Sequence, residues 1–545
     1  MFAFISGFSG DTFRYRCDHV SESIGLLGYT YELYWPPEEF SWETLLESVH
    51  AVIIHRYAMT PELAQFMTRA KSRGIKLVFE TDDLIFEPTA AEQIDFFRKF
   101  SEKEKEVYLK DSERFRETLS NCDAVTTSTD KLAEELARYT EKEKVFVNRN
   151  AVNEIMVQLA VEALDCPIKT EGIVIGYFSG SKTHDQDFSL CAGALRTILA
   201  RYSHVSLLLV GPLSLPACLE EFSNRIERVP FVPWQELAPL YRRIDINLGC
   251  LEDTVFNQCK SELKFFEAGL LGVPTVASDT DAFRHAIVHG ENGMFCRNEQ
   301  EWLSTIELLI RDEKLRKSIA KKAEQTVLNG YTSRTRCDRI FDIWKQIFSG
   351  TRVTNKPLHL AFVLRAPSPG KNSRQKNILS IARHLSEMGH IVRLYIERKD
   401  HLLGYTQEKL EKFIRQNFQV GQCTIVGGYK NILASDVAIA SDWKTACAVY
   451  DLQNTLLRTH FVQEDELETT SIEDPIHKLV ERAYGLQVFL IALGSELAER
   501  LSNRNKITYP SVELAKQDVA KDENGISKCI AEQLERIFLE RLFVN

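Results

Sequence analysis

The feature that most constrains this chain is a rhythm in which short β-branched and aromatic runs alternate with amphipathic helical segments from end to end. Parallel strands need crossover connections of a dozen or more residues, usually helices. The alternation therefore predicts an α/β fold of parallel sheets wound with helices. The rhythm restarts twice. In the first block, residues 1–155, strands are expected at FAFISG, TYELYW, AVIIHRY, KLVFETD, AVTTST and KVFVNRN, with helices such as PELAQFMTRAKSRG between them. The second block, residues 156–348, opens on IVIGYFSG, continues through VSLLLVG, IERVPFV, IDINLGC, PTVAS and GMFC, and closes in charged helices. The small polar stretch SGTRVTNKP then reads as a linker. A third block, residues 357–510, runs from LHLAFVLRAPSPG through HIVRLYI, QCTIVGG, DVAIAS, HFVQED and QVFLIALGS, which leaves residues 511–545 as a helical tail.

A length of 545 residues suits three such units. The formal net charge of -10 opposes binding to a phosphate backbone, so nucleic acid is not an expected partner. The 12 cysteines are scattered, without a C-x-x-C pair or zinc spacing, and read as reduced thiols with no metal site. The opening MFAFISGFSGDTFRYR lacks the basic and apolar regions of a signal peptide, and VSLLLVG and VFLIALG are too short to span a bilayer. The expectation is a cytoplasmic protein, with peripheral contact at the inner face of a membrane left open. In AAEQIDFFRKFSEKEKEVYLKDSERFRETLSNC, lysines and glutamates interleave around Phe96, Phe97, Phe100 and Phe115. That favours a solvated helix packed on its own unit over a membrane-surface helix.

In an open parallel sheet, ligands sit beyond the carboxyl ends of the strands, where helix N-termini present free N–H groups and a partial positive charge. The second block offers two such places, the loop SKTHDQDF after IVIGYFSG and the stretch NQCKSELKFFEAGLLGVPTVAS. In the latter, Ser261 is the expected N-cap, and Lys260, Lys264 and Glu267 fall at i, i+4 and i+7 along one face. Lysines beside a helix N-terminus suit a diphosphate, and a carboxylate two turns along suits a ribose diol. The same residues also read as a surface helix with a weak Lys264–Glu267 ion pair, and the residues alone leave both readings open.

The string YRRIDINLGCLEDTVFNQCKSELKFFEAGLLGVPTVASDTDAFRHAIVHGENGMF closely resembles the nucleotide-binding half of GT-B glycosyltransferases, over residues 172–348. It looks most like retaining glycosyltransferase family four and its relatives in bacterial surface-polysaccharide assembly. The resemblance implies two Rossmann-like domains facing a cleft, hexosyl or deoxyhexosyl transfer with retention, no metal, and no permanently bound cofactor. The donor would be a nucleotide-diphosphate sugar. Glu267 matches the family's ribose ligand, and Lys260, Ser261 and Lys264 would face the diphosphate or sugar. Cys259 stands where many members carry a further glutamate, a departure from the pattern. In the phosphate-loop position the available donors are Ser181, Lys182 and His184, the last also readable as a structural histidine. Phe231 and Val232 fall where the base is held, or in the core.

The first block resembles the acceptor-side domain through GDTFRYR, HRYAMTPELAQFMTRAKSRGIKLVFETDDLIFEP and VFVNRNAVN. Asp82 and Asp83 would face the cleft, to take the acceptor proton or orient its hydroxyl, unless they are loop or cap carboxylates. Arg14 and Arg16 would meet an anionic acceptor or the donor diphosphate. The expected catalytic groups are Lys260 and Lys264, which stabilise charge on the leaving diphosphate, with Asp82 and Asp83 on the acceptor side. The acceptor class is a glycan, a lipid-linked group or a protein. The third block resembles the amino-terminal domain of rhamnosyltransferase-like enzymes, through APSPGKNSRQKNILSIARHLSEMGHIVRLYI, ASDVAIASDWKTACAVYDL and HFVQEDE. The donor-binding partner that the resemblance implies is not recognised in these residues, and the expectation is either a shortened bifunctional transferase or a non-catalytic appendage that binds glycan or protein. Contact with another glycosyltransferase is left open, and the alternative for the whole chain is an inactive GT-B scaffold that binds glycan or protein.

Overall fold

The computed structural model describes residues 1–35, 41–91, 97, 100–165, 172–180, 185–349, 357–367, 373–398, 406–513 and 523–542. Three parallel sheets carry the chain. The first contains β1 (Phe2–Ser6), β2 (Tyr31–Tyr34), β3 (Ala51–His55), β4 (Lys76–Thr81), β5 (Ala124–Thr127) and β6 (Val145–Val147), in the order β2-β1-β3-β4-β5-β6. The second contains β7 (Ile173–Phe178), β8 (Val205–Val210), β9 (Ile226–Val229), β10 (Ile246–Gly249), β11 (Thr275–Ser278) and β12 (Met294–Cys296), in the order β12-β11-β10-β7-β8-β9. The third is β13 (His359–Leu364), β14 (Ile391–Ile396), β15 (Thr424–Gly427), β16 (Ser435–Ala440), β17 (Thr455–Val462), β18 (Phe489–Leu493) and β19 (Ser511–Val512), ordered β15-β14-β13-β16-β17-β18-β19. The α/β class with parallel sheets is thus as the alternation predicts, and the Rossmann-like sheets are as the resemblance implies. Central strands such as FAFIS and AVIIH are buried along their whole length, because crossover helices cover both faces.

Each order reverses once beside its first strand: between β1 and β3, between β7 and β10, and between β13 and β16. Adjacent connections leave such a point in opposite directions, which opens a crevice beyond the carboxyl ends. The crevices of the first two sheets face each other across one cleft.

Three elements belong where the sequence blocks do not put them. The helix Ser333–Ile347 ends the second block in sequence, yet Trp344 packs edge-on against Phe2 at 4.8 Å and joins the first unit's core. β19 extends the third sheet past residue 510. The helix Glu523–Arg541 lies against the helix Ser373–Glu387 with Ile530, Leu534 and Phe538 buried, so it completes the third unit rather than trailing as a tail. The third unit docks on the first through an antiparallel bridge between Tyr29 and Leu457. Around that bridge Arg458 N–H donates to Gly28 O (2.7 Å), Thr30 Oγ1 to Thr455 O (2.6 Å) and the Tyr29 hydroxyl to Arg541 O (2.7 Å).

The charged helix Glu102–Ser120 starts in a Ser101/Glu104 capping box and buries Phe115 and Leu119 against its own unit. Phe96 lies outside the described residues. Among the described residues, no helix is long and apolar enough to cross a membrane.

Candidate active site

The cleft holds a cavity of about 310 Å³. The first sheet brings Thr12, Arg14 and Tyr15 from beyond β1, Arg56 from beyond β3, and Asp82 and Asp83 from beyond β4. The second brings Gly180 and Gly211 from the ends of β7 and β8, Phe231 and Val232 from beyond β9, and Lys260, Ser261, Lys264 and Glu267 before β11. At Gly211, with φ 95°, a Cβ would fall 1.8 Å from Ser179 O, so only glycine lets these two floor loops touch.

The helix that carries Lys264 and Glu267 spans Leu263–Leu270 and begins at Glu262, so Ser261 is not its N-cap. The Ser261 hydroxyl is taken instead by Asn150 Nδ2, 2.9 Å away. The Glu262 carboxylate is fully buried between Arg149 (3.3 Å) and the Tyr331 hydroxyl (2.9 Å), which anchors the helix start to both units. Lys260 therefore precedes the helix rather than sharing its face, but still lines the cavity, with its ammonium 5.2 Å from the Phe256 ring centre.

The surface ion pair between Lys264 and Glu267 does not form. Lys264 Nζ donates to Phe178 O and sits 4.6 Å over the Tyr177 ring, and burial lowers its pKa against the pull of Glu267. Glu267 accepts from the Tyr15 hydroxyl and, at 3.1 Å, from the Tyr241 hydroxyl, with Arg14 at 3.8 Å. The carboxylate thus meets residues of both units, and a carboxylate has about four acceptor positions, so it can take further hydroxyls.

Asp82 and Asp83 share one guanidinium, Arg56 Nη2, at 2.5 and 2.6 Å. Arg56 holds this position from a left-handed backbone, φ 43°, unusual for a side-chain-bearing residue and the sort of strain that collects at functional sites. Thr12 Oγ1 also donates to Asp82, at 2.7 Å. Burial pulls the Asp82 carboxyl upward, but Arg56 and then His55 hold it far below the usual carboxylate range. Asp82 is consequently a weak base, and of its two expected roles the proton-taking one does not fit this geometry. It remains a fixed acceptor of hydrogen bonds. His55 beneath it is kept neutral, its pKa lowered to about 4 by burial.

Arg14 reaches the cleft, stacked 4.2 Å over Tyr15 and 5.0 Å from the Trp234 ring, whereas Arg16 does not. Both lie in one wide helical turn, Arg14–Asp18, which sends Arg16 inward. Its side chain is wholly enclosed, bonded to Glu80 (2.9 Å), Asn148 O (2.7 Å) and Asn150 Oδ1 (2.7 Å), and no ligand in the cleft can meet it. Phe231 is 61% exposed at the cavity edge, so core packing does not account for it, while Val232 is partly packed into the second unit's core. Cys259 is fully buried among Phe79, Leu84 and Phe115 of the first unit and lines no part of the cavity. Ser181, Lys182 and His184 lie outside the described residues.

Sequence reasoning passed over Arg56, Thr12, Tyr15 and Tyr241. Arg56 was within reach, since it follows a strand at the same edge as Asp82. Tyr241 carried no local signal, because only the packing of its helix brings it to Glu267. Chemically the cleft offers Lys260, which has no ion pair among the described residues, beside Lys264 and Arg14, an arrangement able to neutralise phosphate. Among the described residues, no group of three or more His, Cys, Asp or Glu is placed to hold a metal ion.

Residues 192–342 match the family model described as Glycosyl transferase-like. No curated protein matches the chain in sequence. Among solved structures, HepE of Anabaena, crystallised with UDP, is 14% identical over 63% of this chain and 99% of its own, with a TM-score of 0.43. Sucrose-phosphate synthase of Thermosynechococcus elongatus is 14% identical over 64% of this chain and 100% of its own, with a TM-score of 0.44. A point mutant of TarM of S. aureus, crystallised with Fondaparinux, alpha-GlcNAc-glycerol and UDP, is 14% identical over 55% of each chain, with a TM-score of 0.39.

Proposed function

We propose that this chain is a glycosyltransferase that moves a sugar from a nucleotide-diphosphate sugar to an acceptor hydroxyl in the cleft between the first two sheets. The observation that carries this reading is the meeting, in one cavity, of Lys260, Lys264 and Glu267 from the second unit with Asp82, Asp83 and Arg14 from the first. The family model that matches residues 192–342 supports it independently.

The ribose diol donates to Glu267 alongside the two tyrosines, and the base lies against Phe231. As the bond between sugar and diphosphate breaks, negative charge grows on the departing phosphate oxygen. Lys260, Lys264 and Arg14, which all line this cavity, take up that charge and stabilise the transition state. Asp82 and Asp83, locked on Arg56, orient the acceptor hydroxyl rather than deprotonate it. Its proton passes to the departing phosphate, which leaves as nucleoside diphosphate. The acceptor is a glycan, a lipid-linked group or a protein, and transfer retains the anomeric configuration.

Thermal shift with UDP-, GDP- and dTDP-sugars, followed by mass-spectrometric detection of transfer to these acceptor classes, tests the reading. At least one donor is expected to raise the melting temperature, and the anomeric proton coupling of the product reports retention. Glu267→Ala should weaken nucleotide binding by about 1–3 kcal/mol, the worth of a charged hydrogen bond. Lys264→Ala should lower turnover more than stability. If no nucleotide stabilises the chain, the enzyme reading fails; if one stabilises it but nothing is transferred, the chain is a binding scaffold.

A further inference from the structure

A second cavity, of about 170 Å³, opens at the carboxyl ends of β13, β16 and β17, the reversal point of the third sheet. It is far larger than the ~10–15 Å³ that holds one water, and it is walled by polar side chains. Arg365 stands beyond β13, Asp442 and Trp443 beyond β16, and Gln463, Glu464 and Glu466 beyond β17.

His460, on β17, lines this cavity with no exposed surface, and neither ring nitrogen has a hydrogen-bond partner among the described residues. Glu466 stands 3.7 Å from its Nε2. Burial lowers its pKa to about 3, so at neutral pH the ring offers one donor and one acceptor, both unsatisfied. An orphaned buried pair of this kind costs stability unless a ligand or water completes it. The Glu466 carboxylate meanwhile accepts from the Trp443 backbone N–H at 3.2 Å, which fixes the start of the helix Trp443–Tyr450 at the cavity wall.

The balance of groups narrows the ligand. Arg365 and Arg374 face Asp442, Glu464 and Glu466, so a phosphate meets three carboxylates and a cation meets two guanidiniums. Arg365 is only loosely held, 3.8 Å from Asp442 and 3.9 Å from Glu397, and Arg374 pairs with Glu464. What suits interleaved donors and acceptors around the partly exposed, flat Trp443 ring is a neutral ligand with many hydroxyls, each able to donate and accept, and with an apolar face of C–H groups. We propose that this crevice is a second site, separate from the cleft, that binds a sugar unit of a glycan through Trp443, Arg365, Asp442 and His460.

Saturation-transfer NMR on the full chain with free glucose, galactose, mannose, N-acetylglucosamine and rhamnose tests it. At least one sugar should show transfer, with affinity falling roughly tenfold in Trp443→Ala and persisting in Lys264→Ala. Gln463→Ala, partly exposed and outside the core, serves as the second variant should Trp443→Ala unfold. The proposal is overturned if no sugar shows transfer, if both crevice variants bind as before, or if Lys264→Ala alone abolishes the signal. Nucleotide-sugar stabilisation, measured on the same variants, reports the cleft separately, so either reading can fail without the other.

Discussion

Cys259 shows how far one residue's meaning depends on its surroundings. By resemblance it occupies a glutamate position of a sugar-binding cleft, and as a letter in the chain it looks like a lost catalytic group. In the fold its side chain is fully buried against Phe79 and Phe115, its carbonyl accepts from Thr129 Oγ1 at 2.9 Å, and burial pushes its thiol up to about 12. A carboxylate there would be desolvated in an apolar cluster, with Glu135 repelling it more than Lys131 attracts it. Cys259→Glu is therefore expected to cost on the order of 3 kcal/mol of stability in denaturant titration, with no gain in transfer. A folded variant that transfers sugar faster would instead return position 259 to the cleft.

At the scale of elements, the helix Leu263–Leu270 and the strand Thr275–Ser278 were legible from the charged face and the Gly-Val-Pro break before the apolar run. The helix start was not, because Asn150, 111 positions earlier, claims the Ser261 hydroxyl that local pattern assigns to a cap. The turn after the helix His19–Leu26 is a similar case. Gly28 has φ 89°, and a Cβ there would fall 2.4 Å from Arg458 O in the third unit. Gly28→Ala should therefore cost more than about 1 kcal/mol and loosen the seam between units. The expected readout is faster amide exchange at Arg458, whose N–H bonds Gly28 O, with nucleotide binding in the cleft unchanged. Unaltered exchange there would mean that the seam tolerates the methyl group.

For the whole molecule, two sets of buried groups set the response to acid. Burial lowers His19 and His460 to about 3 and His55 to about 4, from 6.5. Below pH 6.5 the unfolded chain binds protons that the folded chain refuses, so acidification destabilises through these residues. Burial raises Glu22, Glu80 and Glu466 to about 7, from 4.5. Their contribution is fully present below pH 4.5 and is lost as pH rises to 7, the opposite sense. Each group contributes a slope of up to about 1.4 kcal/mol per pH unit. His50 is lowered to about 3 in the same way, so between pH 6.5 and 4.5 the three glutamates offset most, not all, of the loss through four histidines. Below pH 4.5 that offset ends, and protonation of Asp82, which despite its burial Arg56 holds far below the usual carboxylate range, adds to the loss. The melting temperature should fall gently from pH 6.5 to 4.5 and then steeply. A steep fall beginning at pH 6.5 would show that the glutamates, Glu80 beside Arg16 among them, stay ionised in the fold.

By itself the sequence determined the parallel α/β architecture, the two restarts of the strand rhythm and the places where chemistry gathers, because alternation, glycine breaks and charged helix starts act over a few residues. Only the tertiary structure decided which of the marked residues meet. It sent Arg14 to the cleft and Arg16 inward within one helical turn, put Arg56 between Asp82 and Asp83, and brought Tyr15 and Tyr241 to Glu267 from separate units. It also joined the third unit to the first around Tyr29 and Leu457. The physical reason is common to all of these. Direction and desolvation of a side chain are set by what packs around it from distant parts of the chain, and no local pattern carries that information.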